Sequence, residues 1–526
     1  MNYPGFGVLG SVARVLGVAG LAFVLSAHVG SSDVFFSGKA GPYDIKVVVR
    51  PPEVVPGVAR VTVHTPYSVS SVSIRPVYWR AGSRGAPAAD KMRNVSPPRP
   101  MGFAKVLDGA PRTQVFEGSL WLMARGAYSV DVIVDGPAGG ANILVPVAAV
   151  ATGRLALDPK LAVLLGVLGV FLVVGLVNIV RKAAGESLVE PGRSLDSAGV
   201  MTSRLAGAVA FAVLALAVFG GSRWWRAVDD DYERSMYRPS PLAVSLIDGV
   251  LRVAATDTLY LPAGRPSGYV PDHGKLMHLF LVKSDDARAF AHLHPRADGA
   301  EIPAFTTVLP LLPAGTYHIF ADVVHETGFE RTLVGSATVP TRSSARAPKL
   351  DPDDAWFVGD AATGSTTPVA ADARMTLRME PSQPKSGEAV TLHIAATDGG
   401  GRPLTLEPYL GMAGHAVVAR TDGSVYVHLH PMGTVSMAAQ DVFAARDRGD
   451  TTEQGALRLG AHAEHQPTDV RSVSPAPSVS SVIEFPYAFP KAGGYRLFVQ
   501  VKRAGHVLTG AFVVNIAEPA PAGASR

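Results

Sequence analysis

Two stretches of the chain place an aromatic residue two positions ahead of His-Leu-His-Pro: FAHLHP from Phe290 and YVHLHP from Tyr426. Before residue 270 the only histidines are His28 and His64. Imidazole ligates zinc, copper, iron and nickel, and two imidazoles two residues apart on a strand share one face of the sheet. The duplicated pair therefore raises metal coordination first.

Each pair gains a third histidine if its strand belongs to a hairpin. In GHAVVARTDGSVYVHLHP, Asp422-Gly423 between β-prone runs predicts a turn. Pairing Arg420 with Val425 then sets His415 opposite His430 and Val417 opposite His428. In MHLFLVKSDDARAFAHLHP, pairing Lys283 with Ala289 sets His278 opposite His294 and Phe280 opposite His292. The expectation is one metal site per hairpin: His278, His292 and His294 in the first, His415, His428 and His430 in the second. A slip of one residue would scatter either trio. Val425, Val427 and Leu429 fall on the opposite face, the better candidate for the core.

Thioether sulfur would favour copper. Met277 adjoins His278, Met412 precedes His415, and Met432 follows His430. The chain has no cysteine, so a soft-metal site must use methionine and histidine, and copper ion is the expected cofactor. His273, His318 and His325 are nearest to the first trio, His462 and His465 to the second. By parity His318 and His325 face opposite ways on one strand, so at most one of them joins a given site. The plainer alternative is that the histidines bond backbone at strand ends closed by Pro295 and Pro431, while the methionines fill cores.

The elements that would carry these hairpins are β-rich. Of 526 residues, 54 are glycine and 41 proline, and short Val-rich runs alternate with period two. The expected fold is mainly β: three immunoglobulin-like β-sandwich domains with two transmembrane helices and an N-terminal signal peptide or anchor. The sandwiches are placed at 41–150, 241–339 (first HLHP motif) and 374–518 (second), with 343–373 as a linker rich in Pro, Asp and small residues. The last two look like repeats, since LPAGTYHIFADVV (312–324) and FPKAGGYRLFVQV (489–501) close each in the same order. Residues 1–30 contain VLGVAGLAFVLSA, of signal-peptide length and cut after Ala27, with an uncleaved anchor as the alternative. Residues 161–180 hold no charge over twenty positions, and 205–222 are as apolar, with Trp224 and Trp225 at the end. Arg181, Lys182, Arg193 and Arg204 place the intervening loop in the cytoplasm and both large soluble parts outside it.

A net charge of +4 without basic clusters speaks against nucleic acid as a partner. Enzyme signatures such as G-x-S-x-G and H-E-x-x-H are absent from the sequence, and no small-molecule substrate is evident. A non-enzymatic protein is expected, and metal-dependent hydrolysis is the weakest reading.

With these motifs laid out, the C-terminal unit resembles the YtkA-like and FixH-like group of exported immunoglobulin-like domains, through SGEAVTLHIAATDGGGRPL, YLGMAGHAVV, VHLHP and FPKAGGYRLFVQVKRAGHVLTGAFVV. The 241–339 unit is similar as a relative, through DHGKLMHLFLV and AHLHP, and the 41–150 unit in outline only. The resemblance implies periplasmic β-sandwiches at a bacterial inner membrane, in a group linked to copper handling and haem-copper oxidase assembly. It implies Met412, His415, His428 and His430 as ligands, with His278, His292 and His294 in the earlier unit. The partners it implies are the membrane and a periplasmic or membrane copper protein. A scaffold whose sandwiches bind another polypeptide is the rival expectation.

Overall fold

A computed structural model describes residues 28–29, 33–96, 113–187, 189–190, 192–256, 268–299, 304–341, 351–450 and 479–519. The expected signal peptide or anchor lies outside the described residues except for the strand His28–Val29, and so do His462 and His465. The chain is mainly β and divides into two compact units: Val150–Arg238, and Met1–Ala149 together with Pro239–Arg526.

The smaller unit is helical. Helix α1 (Pro159–Glu186) starts where the Asp158 carboxylate accepts from the amides of Lys160 and Leu161, with Pro159 in the first turn. Helix α2 (Ser197–Arg234) is capped by Asp196. Both are long and apolar enough to cross a membrane, and their Leu, Val and Phe side chains are exposed along their length. Arg154 pairs with Asp229 and Glu233 of α2 at 3.3 and 3.0 Å.

In the larger unit, three apolar cores are wrapped by sheet. The first lies between a five-stranded sheet that includes Tyr43–Arg50 and Gly57–Thr65 and a four-stranded sheet that includes Ser71–Tyr78 and Gly126–Gly136. Alternate residues such as Ile45, Val47, Val61, Val63, Val72 and Val132 fill it. Around the second core runs a single ten-stranded sheet folded on itself, joined midway by the short parallel pairing of Ser240–Pro241 with Leu333–Val334. The third lies between a sheet holding His415–Ala419, Val425–Leu429, Gly493–Arg503 and His506–Ile516 and one holding Thr366–Ala370, Ala373–Glu380, Ala389–Asp398 and Val482–Ala488. We call these the N-terminal, middle and C-terminal sandwiches.

The segment 343–373 is not a plain linker. Ala355–Val358 pairs with Ala289–His292 at the edge of the middle sheet, and Thr366–Ala370 pairs with Ala373–Thr376 in the C-terminal sandwich. Pro, Asp and Gly disguised two short edge strands, where proline is tolerated because one side of the ladder is open.

The two histidine hairpins have the registers the turns predicted. Phe280 faces His292 in the first, Val417 faces His428 in the second, and the Arg420 amide donates to the Val425 carbonyl at 3.0 Å. Strand alternation sends Leu279, Leu281, Ala291 and Leu293 into the middle core, and Val418, Val425, Val427 and Leu429 into the C-terminal core. The remaining faces carry the histidines and also Phe280, Phe290, Phe320, Val417, Tyr426 and Phe498, which form one buried cluster of their own. The two sandwiches therefore dock hairpin face to hairpin face. Phe290 stacks on Phe498 (4.3 Å between centroids, 8° between planes) and Phe320 on Tyr426 (4.1 Å, 7°). Phe290 corresponds to Tyr426 in the repeat and Phe320 to Phe498, so the contact is reciprocal, like that between two copies of one chain. Such pairs contribute roughly 0.5–1.5 kcal/mol each beyond their buried area.

Candidate metal centre

Docking brings the two trios together. His278, His292 and His294 meet His415, His428 and His430, with His273 as a seventh ring, in one buried nest. Within the first trio ring centroids lie 4.6–5.3 Å apart, and within the second 4.5–5.3 Å. Across the interface His278 and His428 are 5.5 Å apart, and His292 and His428 5.7 Å. The two expected trios adjoin in one nest: His278, His292 and His294 group as expected, while His415 and His430 group with His273 in place of His428. Each trio sits on the outer face of its own sandwich, and those two faces cover one another.

Two sets of three bring their ligand nitrogens within 4.8 Å of one another: His278, His292 and His294, and His273, His415 and His430. In the first set every ring has an acceptor on its far nitrogen. His292 Nδ1 donates to Gln500 Oε1 at 2.8 Å, with the Tyr409 hydroxyl 3.3 Å away; His294 Nδ1 donates to Asp354 Oδ1 at 3.0 Å; and His278 Nε2 donates to the Asp272 carbonyl at 3.3 Å. Those tautomers leave three lone pairs turned inward, on His278 Nδ1, His292 Nε2 and His294 Nε2. The first two are 3.0 Å apart, a hydrogen bond when one of them keeps its proton, and close to the roughly 3.3 Å that would separate two deprotonated nitrogens bound tetrahedrally at about 2.05 Å.

Six ring nitrogens of the nest are buried without a hydrogen-bond partner: His273 Nε2, His294 Nε2, His428 Nε2, His430 Nε2 and both nitrogens of His415. Leaving a buried polar atom unpaired costs about 1–3 kcal/mol, so the arrangement is expensive unless something fills it. Burial, then the repulsion of neighbouring imidazoles, holds His278, His415 and His428 well below the usual histidine range. The same two effects lower His292, and burial brings His430 to about 4. These rings are uncharged at neutral pH, which is the form that binds a metal.

Around the rings stand carboxylates, and an Asp351 oxygen comes within 4.8 Å of a His294 ring nitrogen. Asp354 holds His294 through both its ring and its amide nitrogen. Asp322 accepts from Tyr426 at 2.8 Å and from Thr332, and lies 3.6 Å from His428 Nδ1; burial pushes it up to about 6. Asp272 lies 3.7 Å from His273 Nε2. Asp322 and Gln500 occupy equivalent places, each opposite the first histidine of its own hairpin and reaching toward the other hairpin. Both follow a phenylalanine by two positions in the closing strands. A lone polar residue inside an otherwise apolar run was the available sign.

Two of the three methionines are corrected. Met277 fills the middle core, because strand alternation sends the neighbour of His278 to the opposite face. Met432 packs against the N-terminal core. Met412 stands at the partly exposed corner of the turn it shares with Tyr409. Met277 and Met432 are thereby removed from the ligand set. His318 lies instead against Gly423, and His325 against Tyr269 at 4.9 Å. His273, expected to complete the first trio, sits 5.3 Å from both His415 and His430 and belongs with the second.

No curated protein matches the sequence. Solved structures matched at low identity include the Escherichia coli adhesin FdeC (12% identity, 91% of this chain and 100% of that one, TM-score 0.13). A tetra-tandem repeat from the extending region of a large adhesion protein matches at 9% identity (88% and 71%, TM-score 0.14), and a Salmonella alpha-2-macroglobulin at 7% (94% and 24%, TM-score 0.17). Scores this low carry no argument about fold or function. Residues 369–518 match the family model described as a domain of unknown function, DUF8832, which covers the C-terminal sandwich and so His415, His428 and His430, but not His273, His278, His292 and His294 of the middle sandwich.

Proposed function

We propose that this chain is a membrane-anchored metal-binding protein, with its β-sandwiches in the periplasm, that holds copper between its middle and C-terminal sandwiches. The observation that carries the reading is the His278, His292 and His294 trio, with three inward lone pairs and an acceptor behind every ring. With Met277 and Met432 packed into apolar cores, softness no longer selects the metal. Among divalent first-row ions at a neutral imidazole site, copper binds most tightly, ahead of nickel and zinc. Rings that are at most 5% exposed favour sequestration over rapid delivery, since the ion can leave only if the docked faces or the Asp351–Asp354 segment move. A periplasmic or membrane copper protein would be the exchange partner. Binding is preferred to catalysis because the enclosed rings leave a substrate little access.

The test uses the full chain in detergent micelles, loaded with copper(II) or zinc(II), desalted and analysed for metal. Copper should be retained, and should displace zinc at equal concentration. The double variant His278→Gln, His292→Gln should lose the ion held by that trio while keeping its β-type circular dichroism. If the parent retains neither metal and the double variant is more stable, the nest is a packing device and the scaffold reading takes over.

A further inference from the structure

We propose that the nest holds a second ion of the same class on His273, His415 and His430, and that this ion staples the middle sandwich to the C-terminal one. The inference rests on the metal-binding reading of the first trio and extends it to residues that the two sandwiches share.

His273 is the residue that crosses. It lies in the turn Asp272–Lys275, closed by reciprocal backbone hydrogen bonds of 2.9 Å, with φ at 52°. The turn Tyr409–Met412 repeats this conformation in the C-terminal sandwich, with Leu410 at φ 51° followed, like His273, by a glycine. A left-handed conformation at a non-glycine residue costs about 1–3 kcal/mol, so both copies bear it. Only the middle copy puts an imidazole there. That ring is aimed at His415 and His430 of the other sandwich, and its Nε2 is buried without a hydrogen-bond partner.

The receiving rings are prepared for a cation. His430 Nδ1 donates to the Val435 carbonyl at 3.1 Å, which leaves the Nε2 lone pair free. Neither nitrogen of His415 has a partner. The backbone behind His430 is fixed twice. His430 and Gly433 exchange reciprocal hydrogen bonds of 2.8 Å, and the next residues join the edge of the N-terminal sandwich through Ser37 to Met432 (2.6 Å) and Thr434 to Phe35 (3.0 Å). Asp272, Asp322 and Asp354 supply negative charge around the nest to offset two cations. His428, a member of the second hairpin trio, belongs to neither of the two proposed ligand sets; it lies 5.5 Å from His278 and 4.5 Å from His430 and keeps a free Nε2. It is placed to complete the coordination of either ion.

The test again uses the full chain in detergent, with copper(II) as the probe, followed by desalting and metal analysis. Wild type should retain two ions per chain. His273→Leu copies the residue that the equivalent turn already tolerates, and should retain one. His294→Gln should also retain one, lost from the other position. The second equivalent of copper should raise the melting temperature of wild type, and His273→Leu should lose that second increment. Two ions retained by His273→Leu, or one ion in wild type that His273→Leu keeps and His294→Gln loses, would overturn the second site while leaving the first. No copper in wild type would instead overturn the metal reading itself.

Discussion

The middle and C-terminal sandwiches are best understood against each other. They share the hairpin register, the inward core face, the left-handed turn ahead of the first histidine, and the phenylalanine that stacks on the other sandwich. They differ in what surrounds the rings. The middle trio is backed by Asp354, Gln500 and the Asp272 carbonyl, two of which come from outside its own hairpin and turn. The C-terminal trio has unpaired nitrogens, and after His430 the chain passes into helix α3 (Met437–Arg448), where the described residues of the middle sandwich form the short strand Arg296–Ala297. A shared fold therefore sets where imidazoles can stand. The unshared polar residues decide how ready each trio is to bind.

The reciprocal docking is the feature whose loss should cost most. Phe498→Ala removes one stack, and Phe320→Ala removes its counterpart. Each should destabilise the larger unit by about 3–5 kcal/mol in chemical denaturation and lower metal retention with it. Loss by one variant but not the other would show that the two halves of the contact are unequal.

Helix α3, the main departure from the repeat, should be sensitive to pH. The Ser436 amide at its start donates to Glu330 at 2.7 Å, and burial, helped by the charges of Asp272 and Asp322, pushes Glu330 up to about 7. A carboxyl with a raised folded pKa adds stability that is complete below its unfolded value, near 4.5, and is lost as pH rises through about 7. Glu330→Gln keeps the acceptor and cannot ionise. It should be the more stable protein at pH 8, by at most on the order of 3 kcal/mol, with little difference at pH 4. Melting curves of the two proteins that stay parallel from pH 4 to pH 8 would exclude the effect.

The smallest expected change sharpens the contrast between the trios. Asp354→Asn keeps a hydrogen-bond acceptor for His294 but removes its charge. It should weaken copper at the middle trio about 10–100-fold in a competition titration and leave the other position unchanged. Equal weakening at both would mean that the nest acts as one undivided site.

Much of this was open to reading in the sequence. Short loops fix hairpin register, so Asp422-Gly423 and the five residues between Lys283 and Ala289 sufficed to put three imidazoles on one face of each hairpin. Alternation likewise named Val425, Val427 and Leu429 as core residues, and the two apolar stretches formed long helices. The same alternation, applied to Met277 beside His278, would have removed a methionine from the ligand set.

What the sequence could not settle depends on contacts between distant parts of the chain. Edge strands at Ala355–Val358 and Thr366–Ala370 form because sheet edges were available to receive them, in spite of a linker-like composition. The merging of two trios into one nest depends on Phe290 meeting Phe498 and Phe320 meeting Tyr426, a match of shapes between surfaces far apart along the chain. Local pairing, governed by spacing, determined which histidines share a face. Docking, governed by buried aromatic area, decided that the two faces enclose each other and that His273 serves the opposite sandwich.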